Sequence, residues 1–447
     1  VKISWADLAR AGFHLNLSQS AISLDQVIIS ATRWSQMTRE VPSKITSISA
    51  KEVALQNPQT AADLLGASGE IYIQKSQLGG GSPMIRGFAT NRVLLVVDGI
   101  RMNTAIFRSG NLQNVIALDP FAVEKTEIFF GPGSVIYGSD AIGGVMNFQT
   151  LTPRLSVNGE PYISGNAVTR FSSANKEMTG HLDVNVGWKK WAMVTSFSQF
   201  HFSDLRMGSY GPDDYLRPNY VIRQNSADVV ITNPDPLVQT PTGYDQTNLM
   251  QKVRFSPNAN WDLTYGFHYS TTTNVSRYDR LLRTKNGLPR SAEWYYGPQT
   301  WMMNTLNIEN KATGGIYDRM NIRLAHQLFE ESRHDRDRNK ATRFNRFEKV
   351  NAYSVNIDFT KIIREKHRLF YGLEYISNKV ESTGTDEDIT TGESIPGPAR
   401  YPQSTWASYA AYLTYHYKIS EKLNLQAGAR YNHYTLDAEF DTTFYPF

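Results

Sequence analysis

Nine histidines, an acidic triplet at Asp386-Glu387-Asp388 and a glycine triplet at Gly79-Gly80-Gly81 are the features of this 447-residue chain whose residue types could carry chemistry. No serine, histidine and aspartate fall in the order of a hydrolase triad, and no HExxH spacing pairs two zinc ligands with a base. The glycines lack the Lys-Ser/Thr that completes a phosphate-cradling loop. The chain has no cysteine, so thiolate nucleophiles and disulfides are excluded. What remains is binding. His334, in the charged run ESRHDRDRN, is the best candidate ligand residue, while His268 and His416 alternate with apolar neighbours and so face the wet side of their strands. The acidic triplet could hold calcium or simply be solvated. No catalytic residue and no metal site is assigned.

Two textures must position these residues. From Val123 to Thr150, short β-branched or aromatic runs (Thr126 to Phe130, Val145 to Phe148) flank a connector carrying Gly131, Gly133, Gly138, Gly143 and Gly144. Glycine at that density reads as two short strands joined by tight turns. Upstream, Val41 to Ile73 reads as strand, helix, strand, with Ser49 and Thr60 as helix N-caps and Gly66 as a stop. Beyond Pro153 the pattern becomes long alternating strands. Leu182, Val184 and Val186 oppose His181, Asp183 and Asn185; Leu263, Tyr265 and Phe267 oppose Thr264, Gly266 and His268. Period two with one apolar and one wet face demands unlike surroundings on the two sides of a sheet.

Composition bounds the function classes. Aromatics reach 12% with 24 tyrosines, the formal charge is only +4, and no Lys/Arg block invites nucleic acid. No apolar run approaches the length of a transmembrane helix, which leaves membrane strands open because their hydropathy signal is weaker.

Three segments in order, Pro83-Met84-Ile85-Arg86-Gly87-Phe88, Val93 to Ile100 and GPGSVIYGSDAIGGVMNF from Gly131, resemble the plug domain of TonB-dependent outer-membrane receptors and transporters. The resemblance implies structural roles for Arg86, Gly87, Asp98, Gly99, Gly131, Pro132, Tyr137, Gly138, Gly143 and Gly144. One departure is Phe130, where the family has arginine. Asp25 to Thr32 is similar to the TonB box, so Val27, Ile28, Ile29, Ser30 and Ala31 are expected to be captured as an added strand by a TonB-type energy transducer. The expected organisation is 1–24 as the end of an upstream small β-domain or linker, 25–40 as box and linker, 41–155 as plug, and 160–447 as the N-terminal half of a transmembrane β-barrel. The chain is expected to begin after processing or part-way through a longer precursor.

The fold class is therefore mainly β: a small α+β plug inside a transmembrane antiparallel β-barrel. About eleven strands are legible, with short connections near Lys189-Lys190, Pro257 to Asn260, Gly314-Gly315, Ile363 to Lys366 and Ser420-Glu421. Long connections run from Asp204 to Gln246, Arg277 to Gln299, Ser332 to Arg346 and Glu381 to Ser404. That asymmetry suits an outer-membrane barrel. Plugged transporter barrels have 22 strands, so about half a barrel is expected here, with truncation or another chain accounting for the rest.

The family implies import of a scarce, large ligand across the outer membrane of a Gram-negative bacterium. Asn91 to Leu112 and ESRHDRDRN look most like the haem and haemoglobin receptor branch of Bacteroidota. The ligand-binding set on that reading is His334, Phe107, Arg108, His268 and Tyr72. The plug has no histidine between Gln26 and Thr150, so Tyr72 or Met102 would supply any plug-side axial ligand. Alternatives are a cobalamin or ferric-siderophore importer, or a surface receptor that binds without transport. Implied partners are the transducer, a small-molecule or haemoprotein ligand, outer-membrane lipid and a surface lipoprotein, and no nucleic acid. No cofactor does chemistry; haem enters only as transported ligand.

Overall fold

A computed structural model describes residues 41, 43–75, 78–106, 114–312, 314–364, 366–420 and 423–445, together with Arg10 and the backbone of 27–28 and 36–37. Most of segment 1–24, Ile29 to Ala31 of the expected TonB box, and Phe107 and Arg108 of the expected ligand set lie outside the described residues. Val27–Ile28 is paired antiparallel with Gln36–Met37, whereas the sequence reading left that segment unpaired.

The first unit is built on a five-stranded sheet. Its strands are β1 (Lys44–Ser49), β4 (Val93–Val97), β5 (Ile100–Arg101), β6 (Val123–Phe130) and β7 (Gly144–Thr150), in the order β1-β6-β7-β4-β5. β4 and β7 run parallel and the other pairs antiparallel. A small hairpin, β2 (Tyr72–Gln74) and β3 (Ser82–Met84), stands apart. Helices α1 (Ala50–Gln56) and α2 (Ala61–Gly66) start where expected. Ser49 forms a capping box with Glu52 and Thr60 with Asp63, so the first orphan amides of both helices are satisfied.

The run VLLVV of β4 is buried at every position, because the sheet is covered on both faces. Leu95 and Val97 pack with Leu64 and Leu65 of α2 and with Trp301 and Met303 beyond the unit. Leu94 and Val96 pack with Ile136 and Tyr137 and with Phe370 and Tyr412. The core of the first unit is thus completed by residues of the second. The glycine-rich connector differs from the expected plain turns: it holds a helical turn, α3 (Ser134–Tyr137). Gly144 has φ +151°, and a Cβ there would meet the Phe129 carbonyl at 2.5 Å, so only glycine lets β7 approach β6.

The second unit is a wall of eleven consecutive antiparallel strands: β8 (Tyr162–Ser172), β9 (Glu177–Gly187), β10 (Trp191–Phe202), β11 (Tyr244–Asn258), β12 (Trp261–Thr272), β13 (Thr300–Lys311), β14 (Arg319–Asp337), β15 (Thr342–Ile363), β16 (His367–Asp388), β17 (Gln403–Ser420) and β18 (Leu423–Glu439). Alternation is as the sequence dictates. Leu182, Val184, Tyr265, Tyr409 and Leu413 stand exposed on the outer face. His181, Asp183, His268, Ser408 and His416 are buried on the inner face, toward the first unit. An apolar outer surface with a polar lining suits lipid outside and polar contacts within. The sheet is not closed: β8 and β18 each have one wall neighbour.

Two expected loops are corrected. Ser332 to Arg346 is not a loop, because β14 continues to Asp337 and β15 begins at Thr342. Glu381 to Asp388 is likewise strand, in β16. Charged residues that read as loop pair across the ladder in water: Arg343 stands opposite Glu387 with an N···O distance of 2.8 Å, and Lys349 opposite Glu330 at 3.1 Å. Strands of 19 and 22 residues far exceed the roughly 9–11 residues a bilayer needs.

Close approach at the motif glycines gives a direct test. A Cβ at Gly143 would meet the Phe88 side chain at 2.4 Å and the Arg92 carbonyl at 2.8 Å, while one at Gly180 on the outer face meets nothing within 4 Å. Gly143→Ala should destabilise the folded protein by about 1–3 kcal/mol and Gly180→Ala should be near neutral, read as thermal unfolding of the detergent-solubilised protein. Equal midpoints for the two variants would contradict the packing.

Candidate functional site

Asp98 and Gly99 are the two central residues of the β4/β5 hairpin, with φ +50° and +84°. That is a type I′ turn, the geometry an Asp-Gly pair favours. The turn aims the Asp98 carboxylate out of the first unit. It accepts the Thr150 amide at 2.9 Å and the Thr150 hydroxyl at 2.7 Å, which ties the turn to the end of β7. From the wall, the Lys252 ammonium of β11 stands 2.8 Å away and His268 Nε2 of β12 3.5 Å away. Burial alone would raise the Asp98 carboxyl; the Lys252 charge, with a smaller contribution from His268, outweighs it and holds the group well below the usual carboxylate range. Gly99 abuts Arg323 of β14, where a Cβ would come within 2.6 Å of Nε.

Other contacts surround the first unit. Gln246 of β11 donates to the Ile116 carbonyl at 2.7 Å, and Gln327 of β14 donates to the Arg101 carbonyl at 2.8 Å. The Ala105 amide donates to Asn378 of β16 at 3.1 Å, and Arg430 of β18 donates to the Ile136 carbonyl at 2.9 Å. Near the start of the wall, the Ser198 hydroxyl donates to Asp119 at 2.6 Å, and burial pushes the Asp119 carboxyl up. Arg170 of β8 donates to the Pro58 carbonyl at 2.8 Å and Gln59 donates to Glu177 of β9 at 2.6 Å, so the first unit is held inside the curve of the wall by hydrogen bonds from β8 through β18. Most of these wall side chains are neutral amides and hydroxyls, whose hydrogen bonds are exchangeable with water at modest net cost.

Two spaces follow the seam. One, of about 270 Å³, is bordered by Asp98, Lys252, Asn147, Gln149, Asn307 and Asn321. The last four carry buried amide atoms with no protein partner, the kind of space water fills. The other, on the side of the long connections, is lined by Thr104 and Ile106 of the first unit and by Gln299, Trp301, Phe329 and Glu331 of the wall. Its volume is about 50 Å³, room for water rather than for a large ligand.

The expected site residues are placed as follows. Arg86 and Gly87 form a positive-φ turn between Ile85 and Phe88, and the Arg86 guanidinium lies 5.7 Å from the Phe130 ring. The position where the family has arginine thus takes cations on an aromatic face. Gly131 and Gly138 have positive φ, and Arg101 binds the Tyr137 carbonyl and Asp140. His268 is buried in the seam at Asp98. Tyr72 is 68% exposed on β2, away from any histidine-rich partner.

His334 is not in a loop. Its parity in β14 is opposite to that of Arg323 and Gln327, which touch the first unit, so it lies on the outer face of the wall. Its ring is buried against Tyr295, with Nδ1 2.6 Å from Asn345 Oδ1 and Nε2 2.9 Å from Ser332 Oγ. Burial pushes this imidazole below its ordinary value. The structure therefore does not bring His334, His268 and Tyr72 together. The acidic triplet is also spent: Arg343 and Asn345 bind Glu387 and lower its carboxyl, Arg346 pairs with Asp386, and Asp388 caps the turn at Thr390. Among the described residues no three His, Asp or Glu side chains gather as metal ligands. Lys252 and Thr150 were missed by sequence reasoning; the inward parity of Lys252 in β11 was the available signal.

Comparison with known proteins adds the following. Residues 37–145 match the TonB-dependent Receptor Plug Domain, and residues 311–445 match the Outer membrane protein beta-barrel family. A vitamin B12 transporter of Vibrio vulnificus is 34% identical over 137 residues, 30% of this chain and 22% of that protein. A hemin receptor of Yersinia pestis is 33% identical over 130 residues, 29% of this chain and 19% of that protein. Among solved structures, the copper transporter OprC superposes with a TM-score of 0.68 at 14% identity, over 88% of this chain and 55% of that one. The chain thus spans about half the length of the solved structure it matches.

Asp98 supplies the prediction for the seam. Asp98→Asn leaves the Lys252 ammonium buried without its counter-charge and should weaken docking by about 3–5 kcal/mol, seen as faster proteolysis within 41–155 in the intact protein. Because the folded carboxyl is depressed, its contribution is complete above the ordinary value of about 3.9 and is lost as pH falls through the lower folded value. Thermal stability of wild type minus variant should stay constant from pH 8 to pH 5 and shrink only below about pH 4. A difference already shrinking at pH 6 would contradict the assignment.

Proposed function

We propose that this chain, a TonB-dependent receptor plug with outer-membrane β-barrel strands around it, serves active import of a scarce ligand too large to diffuse through pores. The matched plug and barrel families place it in the outer membrane of a Gram-negative bacterium. The observation that carries the import reading is the seam: a folded plug fills the inner curve of the wall and is held there by side-chain hydrogen bonds, the buried Asp98–Lys252 ion pair and apolar packing, with no covalent cross-link between them. Force that shifts such a stopper exchanges these polar contacts with water and gives up the apolar contacts that Trp301, Met303, Phe370 and Tyr412 make with the plug sheet. Ligand docking on the outer loops and plug apices would free the segment around Val27 to Ala31 for strand capture by the transducer. Energy then arrives mechanically, and no resident cofactor takes part.

Haem is the first cargo reading, supported by the likeness to the hemin receptor. Cobalamin is the second, and the vitamin B12 transporter of similar identity favours it equally. The inner-face histidines do not separate them: His181 is held by Ser198 and Asp183, His268 by Asp98, and His416 lies edge-on to Phe370. An axial ligand for haem would therefore come from residues beyond these.

Absorbance of the receptor purified from its native membrane decides between the cargoes: a Soret band supports haem and a corrinoid spectrum supports cobalamin. Deleting Asp25 to Thr32 should abolish uptake of that cargo by whole cells while leaving surface binding. Uptake unchanged by the deletion would contradict TonB-dependent import and favour a receptor that only binds.

A further inference from the structure

Between β12 and β13 the chain leaves the wall for residues 273–299. Its stretch 277–290 carries Arg277, Arg280, Arg283, Lys285 and Arg290 and one acid, Asp279; Arg290 also reaches Asp337 at 3.6 Å. The one-turn helix α4 (Tyr278–Leu281) packs through Leu281 on Trp294 and Tyr296 of the strand Ser291–Tyr296. That strand pairs with the end of β14 so that Tyr296 lies opposite Arg333 and Trp294 opposite Asp335. Arg333 has the parity of Arg323 and Gln327, the β14 residues that face the plug. The basic segment therefore rests on the inner face of the wall, above the cavity lined by Phe329 and the plug apices.

Three guanidinium groups converge on one indole. Arg333, Arg277 and Arg280 lie 4.7, 5.0 and 5.9 Å from the Trp294 ring centre. They are not equally neutralised. Arg277 is held by both oxygens of Asp279 and by the Tyr296 hydroxyl, at 2.6–2.7 Å. Arg280 reaches Asp279 only at 3.7 Å and Arg333 reaches Asp335 at 3.3 Å, and the Nε–H groups of both are buried without an acceptor. Their side chains remain 36% and 35% exposed. Behind them Arg217, nearly fully buried, spends its guanidinium on the Thr240 and Leu281 carbonyls. Stacking on an indole fixes a guanidinium in orientation while leaving its donors for a planar anion.

We propose that Arg280 and Arg333, oriented by Trp294, bind carboxylate groups of the cargo, so that the receptor selects a ligand bearing at least one carboxylate. This rests on the import reading and narrows it. The guanidinium fork matches a carboxylate in two parallel hydrogen bonds, and the site lies on the inner face where a docking ligand would meet it before the plug.

The test is equilibrium titration of the full-length receptor in detergent with four probes: haemin, which has two carboxylates; haemin dimethyl ester, which has none; ferric citrate, a polycarboxylate without a macrocycle; and cyanocobalamin, whose side chains are amides. The Arg280→Gln/Arg333→Gln double variant should bind a carboxylate probe about ten- to a hundred-fold more weakly than wild type. Arg333→Lys, which keeps the charge without the fork, should fall between them, and thermal unfolding at the wild-type midpoint shows that the variants fold. Arginine-dependent binding of ferric citrate with no binding of haemin would uphold this site and remove the haem reading. Equal affinity of wild type and double variant for the carboxylate probes would overturn it. So would haemin ester binding as tightly as haemin, cyanocobalamin binding that ignores the arginines with no carboxylate probe bound, or failure of every carboxylate probe to bind; import itself would survive the cyanocobalamin result.

Discussion

One buried carboxylate organises the contact between the two units. Asp98 sits in a turn only an Asp-Gly type of sequence makes easily, and its oxygens are divided between Thr150 at the end of the plug sheet and Lys252 on the wall. The charge is expensive to bury and is tolerable only because both sides supply partners at once. It therefore fixes where the plug sits, and the Gly99 to Arg323 contact permits no extra atom beside it. The remaining seam combines amide, hydroxyl and arginine hydrogen bonds with apolar packing by Trp301, Met303, Phe370 and Tyr412, and leaves a polar space of about 270 Å³ beside Asp98. A stopper located by one buried ion pair, with many individually modest contacts around it, can be both specific in position and movable.

The wall follows from the same division of environments. Lipid asks for an apolar face on every strand and the plug asks for a polar one, so period two is enforced over all eleven strands. The plug answers with the opposite logic. Its central strand β4 is apolar on both faces, because helices and wall residues such as Met303 and Phe370 cover both. Beyond the bilayer neither constraint applies. There β14, β15 and β16 continue as charged ladders held by cross-strand ion pairs, which water and salt screen and which carry little stability individually.

Much of this was legible in the sequence. The capping residues Ser49 and Thr60, the two strands around the glycine-rich connector, and the parity of His181, His268 and His416 all stand where local rules put them. The misreading at ESRHDRDRN has a simple cause. Density of charge was read as loop, whereas these charges are paired within the fold: Arg336, on the buried face with Ser332 and His334, binds Asp228 and Glu293. Counting parity from Gln327 through that run would have placed His334 on the outer face. The pairing of Asp98 with Lys252, and the gathering of Arg280 and Arg333 on Trp294, join residues far apart in the chain. No local pattern announces them; they needed the register of β11 and β14.

The central claim, that the glycine-rich unit lies within the wall, is tested most directly by a crosslink. The chain has no cysteine, so Ala105→Cys with Asn378→Cys forms a single reporter pair, at the site where the Ala105 amide meets the Asn378 side chain at 3.1 Å. Oxidation of intact cells should close an intramolecular disulfide between these positions, and pairing Ala105→Cys with Tyr409→Cys on the outer face should not. Absence of the first crosslink, or equal formation of the second, would contradict a plug held inside the wall.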